Sequence, residues 1–418
     1  MGVLSKLDEP GGALMCIHDT QSHEPTATVG TESMTGDILI VGGGIAGLSA
    51  AHELSPDHDV TVLERDRIAG GATGHASGLV TVVADYAERR EAARYSIEFF
   101  REFDGTGQFS FHERPFVQLR TTPELSGLRE EAADFRDDGF DVTAHDGASL
   151  ADRYPDVFDA SAHTGAVVFE DAGWVDPYTY ATTLADEAMS EGAEIRTNTE
   201  VTELIVDGGT VCGVRTDDGE VRADRVVVAA GWRTPELAGV DLPVRPFRYQ
   251  TANLETGAEI GDYPIAWDQE SRLYWRPEHN GDLHVGGGAY YVSEPGTIRS
   301  ATVEGFKRLV AGTIPDRLPA LTDARLATDD TCPSGDAATP DHLPIIDSPS
   351  NGPAGLVVAT GLHGFGIMAG PAVGRAIRAH VADEDAPFPL EPYRADRFDP
   401  NPSWEFPYIA PTAAETGP

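Results

Sequence analysis

Lysine is almost missing from this chain: of 418 residues, only Lys6 and Lys307 carry an ammonium side chain. Lys and Arg together number 30 against 69 Asp and Glu, a formal net charge of −39. So acidic a chain repels nucleic acid and anionic lipid, which excludes both as partners. It also repels itself in dilute buffer, where the Debye length is long. Acids spread along the whole chain with so little lysine read as adaptation to molar salt and predict a high-salt cytoplasmic setting. Cysteine is scarce as well. Cys16, Cys212 and Cys332 are far apart and form no C-x-x-C, so neither a disulfide framework nor a zinc site is expected, and a reducing cytosol fits. Long apolar runs are also lacking. The two most apolar stretches, 38–54 and 356–373, are broken by glycines and contain His or Pro. Each reads as strand, turn and helix, and no integral membrane segment is expected. Residues 1–35 are polar and irregular, with no apolar segment of signal-peptide length, and position 6 is wrong for myristoylation. They read as a disordered extension, or as the product of a start placed too early, with Met34 the true one.

What is present is glycine, 45 residues of it, in a chain long enough for two interleaved domains. Residues 37–41 form a short apolar run that predicts a buried parallel strand. A glycine turn follows at 42–47, then apolar residues at helical spacing to Leu54, a break at Ser55-Pro56-Asp57, and a second strand at 60–63. Residues 88–159 are charged and helical in period. A strand is expected at 166–169 and a helix at 177–192. Short strands follow at 193–196, 200–205, 211–216, 220–222 and 226–230. From 242 to 328 the pattern is strand-like, with 274–276 and 283–285 flanking a turn at Asn280-Gly281; it reads as a second layer able to carry a substrate. Residues 355–381 repeat the order strand, turn, helix, and a Pro-rich acidic tail begins near Asp383.

Gly42, Gly44 and Gly47 fit G-x-G-x-x-G between a predicted strand and a predicted helix, the context that the motif needs. The first permits the tight turn, the second a close approach to pyrophosphate, and the third close packing of helix on strand. The helix start then offers N–H groups to the anion. Glu64 ends the next strand, 22 residues beyond Gly42. A carboxylate there accepts from a ribose 2′-hydroxyl and repels the 2′-phosphate of NADP. The motif by itself leaves FAD and NAD open.

Four segments resemble the D-amino-acid oxidase family of FAD-dependent oxidoreductases, which includes glycine oxidase, sarcosine oxidase and dimethylglycine dehydrogenase. They are 37–64; Gly70-Gly-Ala-Thr-Gly-His-Ala-Ser-Gly-Leu79; Val226-Val-Val-Ala-Ala-Gly-Trp232; and Thr339-Pro-Asp-His-Leu-Pro with the run 357–371. The resemblance covers 37 to about 398. It implies a mixed α/β and α+β fold: a glutathione-reductase-like Rossmann domain for FAD, with an inserted mixed-sheet substrate domain. The expected FAD-binding parts are 36–84, 165–235 and 339–383; the substrate parts are 85–164 and 236–338; a tail covers 384–418. The cofactor is expected against Gly42, Gly44, Ile45, Ala46, Gly47, Glu64, Arg65, Gly71, Ala72, Thr73, His75, Ala76, Ser77, Gly78, Val201, Ala230, Gly231, Gly366, Ile367 and Met368.

The chemistry that the resemblance implies is oxidation of a C–H next to an amine nitrogen by hydride transfer to flavin N5. The product is an imine that water hydrolyses. His363, Gly364, Gly366, Ile367 and Met368 are the catalytic candidates, a turn whose backbone N–H groups would face negative charge on the reduced flavin. His75 resembles the histidine that bonds covalently to flavin in dimethylglycine and sarcosine dehydrogenases, although Gly74 stands where those enzymes have Trp. Cys332 is a rival attachment point. Asp336 and Gly366 occupy the places of the Arg and the Lys familiar in relatives. Either Arg248 or Arg276 then meets a substrate carboxylate, or the substrate lacks one; Tyr249, Tyr274 and Trp174 are candidate pocket walls. The acceptor of electrons is dioxygen, a carrier flavoprotein or a quinone, the lack of lysine favouring the carriers. Two other readings are a flavin-binding assembly factor without amine turnover, and an NADH-dependent flavin reductase or hydroxylase; the latter would want a second dinucleotide motif, and none is evident.

Overall fold

In a computed structural model, the chain is described over residues 36–398, apart from 160, 162, 293–294 and 296–299, together with 404. The extension expected at 1–35 and most of the expected tail beyond 398 lie outside the described residues.

The first apolar run is the strand Gly36–Val41, and it is central in an eight-stranded sheet. On one side it pairs in parallel with Val60–Leu63, which in turn pairs in parallel with Glu194–Arg196. On the other side it pairs in parallel with Gly219–Val228, and that strand with Leu356–Thr360. Strands buried on both faces read as unbroken apolar runs, which is why 38–41, 60–63 and 356–360 are so legible. Helices Ile45–Leu54, Pro177–Ser190 and Gly366–Ala382 flank this sheet, and the apolar residues of the first and last pack into one core with its strands. The second of them starts as its sequence dictates. Asp176 caps Thr179 N at 2.7 Å, and proline opens the first turn.

Two predicted strands turn out to be one. Gly219–Val228 begins as the edge of a hairpin, antiparallel to Thr210–Thr216, and ends between two parallel neighbours in the middle of the sheet. Its polar first half and apolar second half make it look like two segments, because burial changes along its length.

A nine-stranded mixed sheet has the order Arg325–Asp330, Arg245–Glu255, Leu283–Tyr291, Tyr274–Pro277, Ile265–Asp268, Phe116–Arg120, Gly165–Phe169, Val142–Asp146, with Asp336–Ala338 also on Arg245–Glu255, and a small third sheet joins Leu79–Val80, Gly173–Trp174 and His112–Glu113. Three expectations are corrected here. Gly165–Phe169 pairs with Phe116–Arg120 and Val142–Asp146 in this sheet, not with the cofactor strands. It is fully buried, and an apolar run carries no mark of which sheet it joins. The stretch 88–159 is not helical throughout, since it supplies two of these strands. The strand-like stretch 242–328 contains the helix Glu304–Arg317, whose apolar face is interrupted by Pro315 and polar residues.

Candidate active site

The glycine turn sits at the carboxyl end of Gly36–Val41. Gly42 has φ +114°, a conformation that L side chains rarely adopt. A Cβ on Gly47 would lie 2.0 Å from Gly42 O, so only glycine lets the helix settle on the turn. The helix Ile45–Leu54 has no side-chain cap at Gly44 and no acid in its first turn, which leaves its positive end open to an anion. Thr73 Oγ1 accepts from Ile45 N at 2.9 Å and closes the far side. Glu64 is gripped by two backbone donors, Gly43 N at 2.7 Å and Asp66 N at 2.9 Å, and faces the same groove.

The groove runs past Gly42, Gly44, Ile45, Ala46, Glu64, Arg65, Gly71, Ala72, Thr73, Ala76, Val201, Ala230, Gly231, Gly366 and Ile367, all expected cofactor residues. Gly47 lies under the turn and does not line the groove. His75, Ser77, Gly78 and Met368 line a second cavity of about 560 Å³ beside the groove. Trp232, which reasoning from sequence did not place at the site, also lines the groove; its indole N–H donates to Ser334 O at 2.6 Å and ties two walls together. The residues present fit FAD: an elongated groove, an uncapped helix start for pyrophosphate, and an oriented carboxylate for ribose.

Groove and cavity meet at Ala72, Ala76, Asp336, Gly364 and Ile367. The helix Gly366–Ala382 begins at this junction, again with no side-chain cap and no acid in its first turn. His363 is not at the junction. Its φ of +54° and that of Gly364, +80°, turn its side chain inward. The imidazole is fully buried, 4.3 Å from the His342 ring and 5.2 Å from Phe247, and lines neither cavity. Burial, then His342, lowers its pKa to about 3, so it is neutral and part of the packing. The turn is at the site; the histidine side chain that marked it in the sequence is not.

The cavity separates the other candidates. Arg248, Tyr249 and Tyr274 line it; Arg276 and Trp174 do not. The Arg276 guanidinium stacks 4.2 Å over Trp174, donates to Ser77 O at 2.8 Å and pairs with Glu278 at 2.9 Å, which is structural work. Arg248 is wholly buried, with Nε donating to Thr331 Oγ1 at 2.7 Å, and lies 5.4 Å over the Tyr290 ring. Arg90 and Arg120 also line the cavity, but they pair with Asp134 and Asp138 and with Glu131. His75 Nδ1 is 2.6 Å from Asp330 Oδ2. Cys332 is buried at the wall, 3.1 Å from Ser334 Oγ, and burial pushes its thiol up.

Asp85 was missed from sequence, hidden among 69 acids. Its exposed side chain lines the cavity and accepts from Thr81 Oγ1 at 2.5 Å. Thr81 in turn contacts Met368 Sδ at 3.7 Å, next to the junction. Desolvation raises Asp85 to about 6 and Asp336 also to about 6, the latter while accepting from Gly364 N at 2.8 Å. Among the described residues neither forms an ion pair. No group of acids, histidines and cysteines there could hold a metal, and no helix is long and apolar enough to cross a membrane.

Known proteins share this fold. The family described as FAD dependent oxidoreductase (DAO) matches residues 37–379. Mitochondrial dimethylglycine dehydrogenase of Rattus norvegicus is 26% identical over 380 residues, 85% of this chain but 44% of its own length, so the chain spans less than half of that relative. Among solved structures, glycine oxidase from Geobacillus kaustophilus matches with a TM-score of 0.75 at 23% identity, covering 87% of this chain and 99% of that one. L-proline dehydrogenase from P. horikoshii matches at 0.79 and 24%, covering 87% and 98%. These two likenesses show the fold.

Proposed function

Because the chain belongs to the DAO family of FAD-dependent oxidoreductases, we propose that it oxidises the carbon–nitrogen bond of a small amine or amino acid. The observation that carries this reading is the junction itself: an open helix start where a dinucleotide groove meets a separate cavity. FAD, when bound, supplies the two-electron oxidation. In this reading the eight-stranded sheet holds the cofactor, and the nine-stranded sheet supplies the substrate wall.

The chain's own residues bind and orient. Arg248 meets a substrate carboxylate, as an always-charged guanidinium kept out of water. Asp85 meets the amine nitrogen as a carboxylate that is ionised above about pH 6. Phe116, Phe135 and Trp267 give the cavity apolar wall and limit water around the reacting C–H. Backbone N–H groups at Gly366 and Ile367 offer positive partial charge where negative charge grows on reduction. Water then hydrolyses the imine product. Among the described residues no lysine lines either cavity, and Lys307 is committed to Asp329 at 3.3 Å. Transfer of electrons to a carrier protein or quinone suits this better than direct use of dioxygen. The charge of −39 supports a high-salt cytoplasm as the setting.

Anaerobic bleaching of the bound flavin in molar salt tests the proposal. The panel is glycine, sarcosine, N,N-dimethylglycine, D- and L-proline, and N-methylbutylamine, which lacks a carboxylate. At least one amine is expected to bleach it, and Arg248→Ala should raise KM for carboxylate-bearing amines by roughly tenfold or more. A flavin that no amine on the panel reduces would sink the reading and favour a structural cofactor. A covalent bond through His75 has its own readout: yellow colour that stays with acid-precipitated protein and leaves it in His75→Ala.

A further inference from the structure

One hydrogen-bonded row leads from the substrate cavity across one face of the nine-stranded sheet toward its edge strand, Arg325–Asp330. Tyr274 lines the cavity. Its Oη is 2.8 Å from Ser77 Oγ, and Ser77 Oγ is 2.8 Å from His284 Nε2. His284 Nδ1 is 2.8 Å from Asn253 Oδ1. The row is held from both sides. Tyr274 pairs across the sheet with Gly286, where a Cβ would come 2.1 Å from the Tyr274 Cζ, so the ring lies flat on a missing side chain. Arg276 anchors the backbone of Ser77 through its carbonyl.

The direction of the row follows from its outer end. Asn253 Nδ2 donates to Thr328 Oγ1 at 3.1 Å, which turns Oδ1 toward His284. Glu278 Oε1 lies 3.7 Å from the same His284 nitrogen. Two acceptors face Nδ1, so that nitrogen carries hydrogen. Burial and the charge of Arg276 hold His284 far below its usual pKa, so it is neutral and has one N–H only. Nε2 is then an acceptor, and Ser77 gives it its only hydrogen. Ser77 Oγ therefore accepts from Tyr274, whose phenol burial holds above its usual range, and so protonated. The one hydrogen of Tyr274 is spent away from the cavity.

We propose that Asn253, His284 and Ser77 are positioning residues that make Tyr274 Oη an acceptor toward the cavity, selecting substrates that present an N–H, a protonated or secondary amine, at that point. This rests on the amine-oxidation reading for its substrate class but not for its geometry, and the test has an arm for each. First, the FAD-loaded full chain, labelled with ¹⁵N-histidine in molar salt, is examined by NMR at pH 7. The signal that disappears in His284→Gln should belong to a neutral ring protonated at Nδ1; a ring protonated at Nε2, or at both nitrogens, overturns the proposal whatever the enzyme oxidises. Second, binding is read from the flavin spectrum with two probes of like size, N,N-dimethylglycine, which carries N–H when protonated, and glycine betaine, which has none. Ser77→Ala and Tyr274→Phe should each weaken dimethylglycine by roughly tenfold and leave betaine unchanged. The double variant should be no worse than either single one, and Ser77→Thr should restore binding. Equal losses for both probes, or additive losses in the double variant, would overturn it. If the parent protein binds neither probe, the substrate reading fails, and the NMR arm still decides the row.

Discussion

Two carboxyl groups at the cavity are raised by desolvation, and each has a cost in stability. Asp85 rises from 3.8 to about 6 on folding, mainly by desolvation. Between those values the folded chain holds a proton that the unfolded chain has released. Its contribution to stability therefore falls as pH rises through that window and is lowest above it. Asp85→Asn keeps an acceptor for Thr81 and removes the charge. Thermal unfolding of this variant at pH 7.5 is expected a few degrees above the parent, with a flatter profile between pH 4 and 6, while kcat/KM for the amine drops by roughly tenfold or more. An unchanged or lower Tm at pH 7.5 would contradict the assignment. At this scale the sequence was an uneven guide. Glu64 was legible because its place, at the end of the second strand, is dictated by the glycine motif. Asp85 was not, since one acid on a four-residue helix looks like any other solvated acid. His363 looked catalytic because its neighbours are at the site; only the sign of φ says where its ring goes.

Among elements, the helix Gly366–Ala382 depends most on its neighbour, Ile45–Leu54. Gly370 and Gly374 face Ile45 and Ser49, and a Cβ on Gly374 would come 2.6 Å from Ser49 O. Backbone cannot yield as a side-chain tip does, so the two helix starts would be forced apart. Gly374→Val should cost about 1–3 kcal/mol, read by denaturant unfolding, and weaken FAD because both helix starts border the groove; a variant of parental stability and FAD affinity would show that the close approach is not needed. The two strand–turn–helix units could be read from the sequence because buried parallel strands and glycine turns leave local marks. The cavity wall could not. It gathers Asp85, Arg248, Tyr274 and Met368 from strands and helices far apart in the chain, and no local pattern registers which of them meet. The same holds for Gly165–Phe169, whose apolar run suits either sheet.

Across the whole molecule the balance of charge sets the conditions under which any of this can be measured. At −39, long-range repulsion destabilises the folded state in dilute buffer, and salt screens it. Many surface acids are met by arginine, as in Arg378 with Asp57 and Glu384, but 30 cations cannot meet 69 acids. The Tm should climb steadily from 0.1 M to molar KCl, and dialysis into dilute buffer should release FAD and unfold the chain; full retention of both after dialysis would remove the case for a high-salt setting.

The interleaving of the groove has a consequence for synthesis. Its walls come from 41–76, 199–237, 334–337 and 359–367, and the strand Gly219–Val228 waits for Leu356–Thr360 on its open edge. A nascent chain on the ribosome therefore lacks a complete cofactor seat until nearly the last strand has emerged. FAD cannot act as an early template for the first half, which must wait with its central strands only partly covered. Loading of the cofactor must then wait for residues 359–367, and a riboflavin-starved cell should accumulate protease-sensitive chain rather than prematurely arrested fragments.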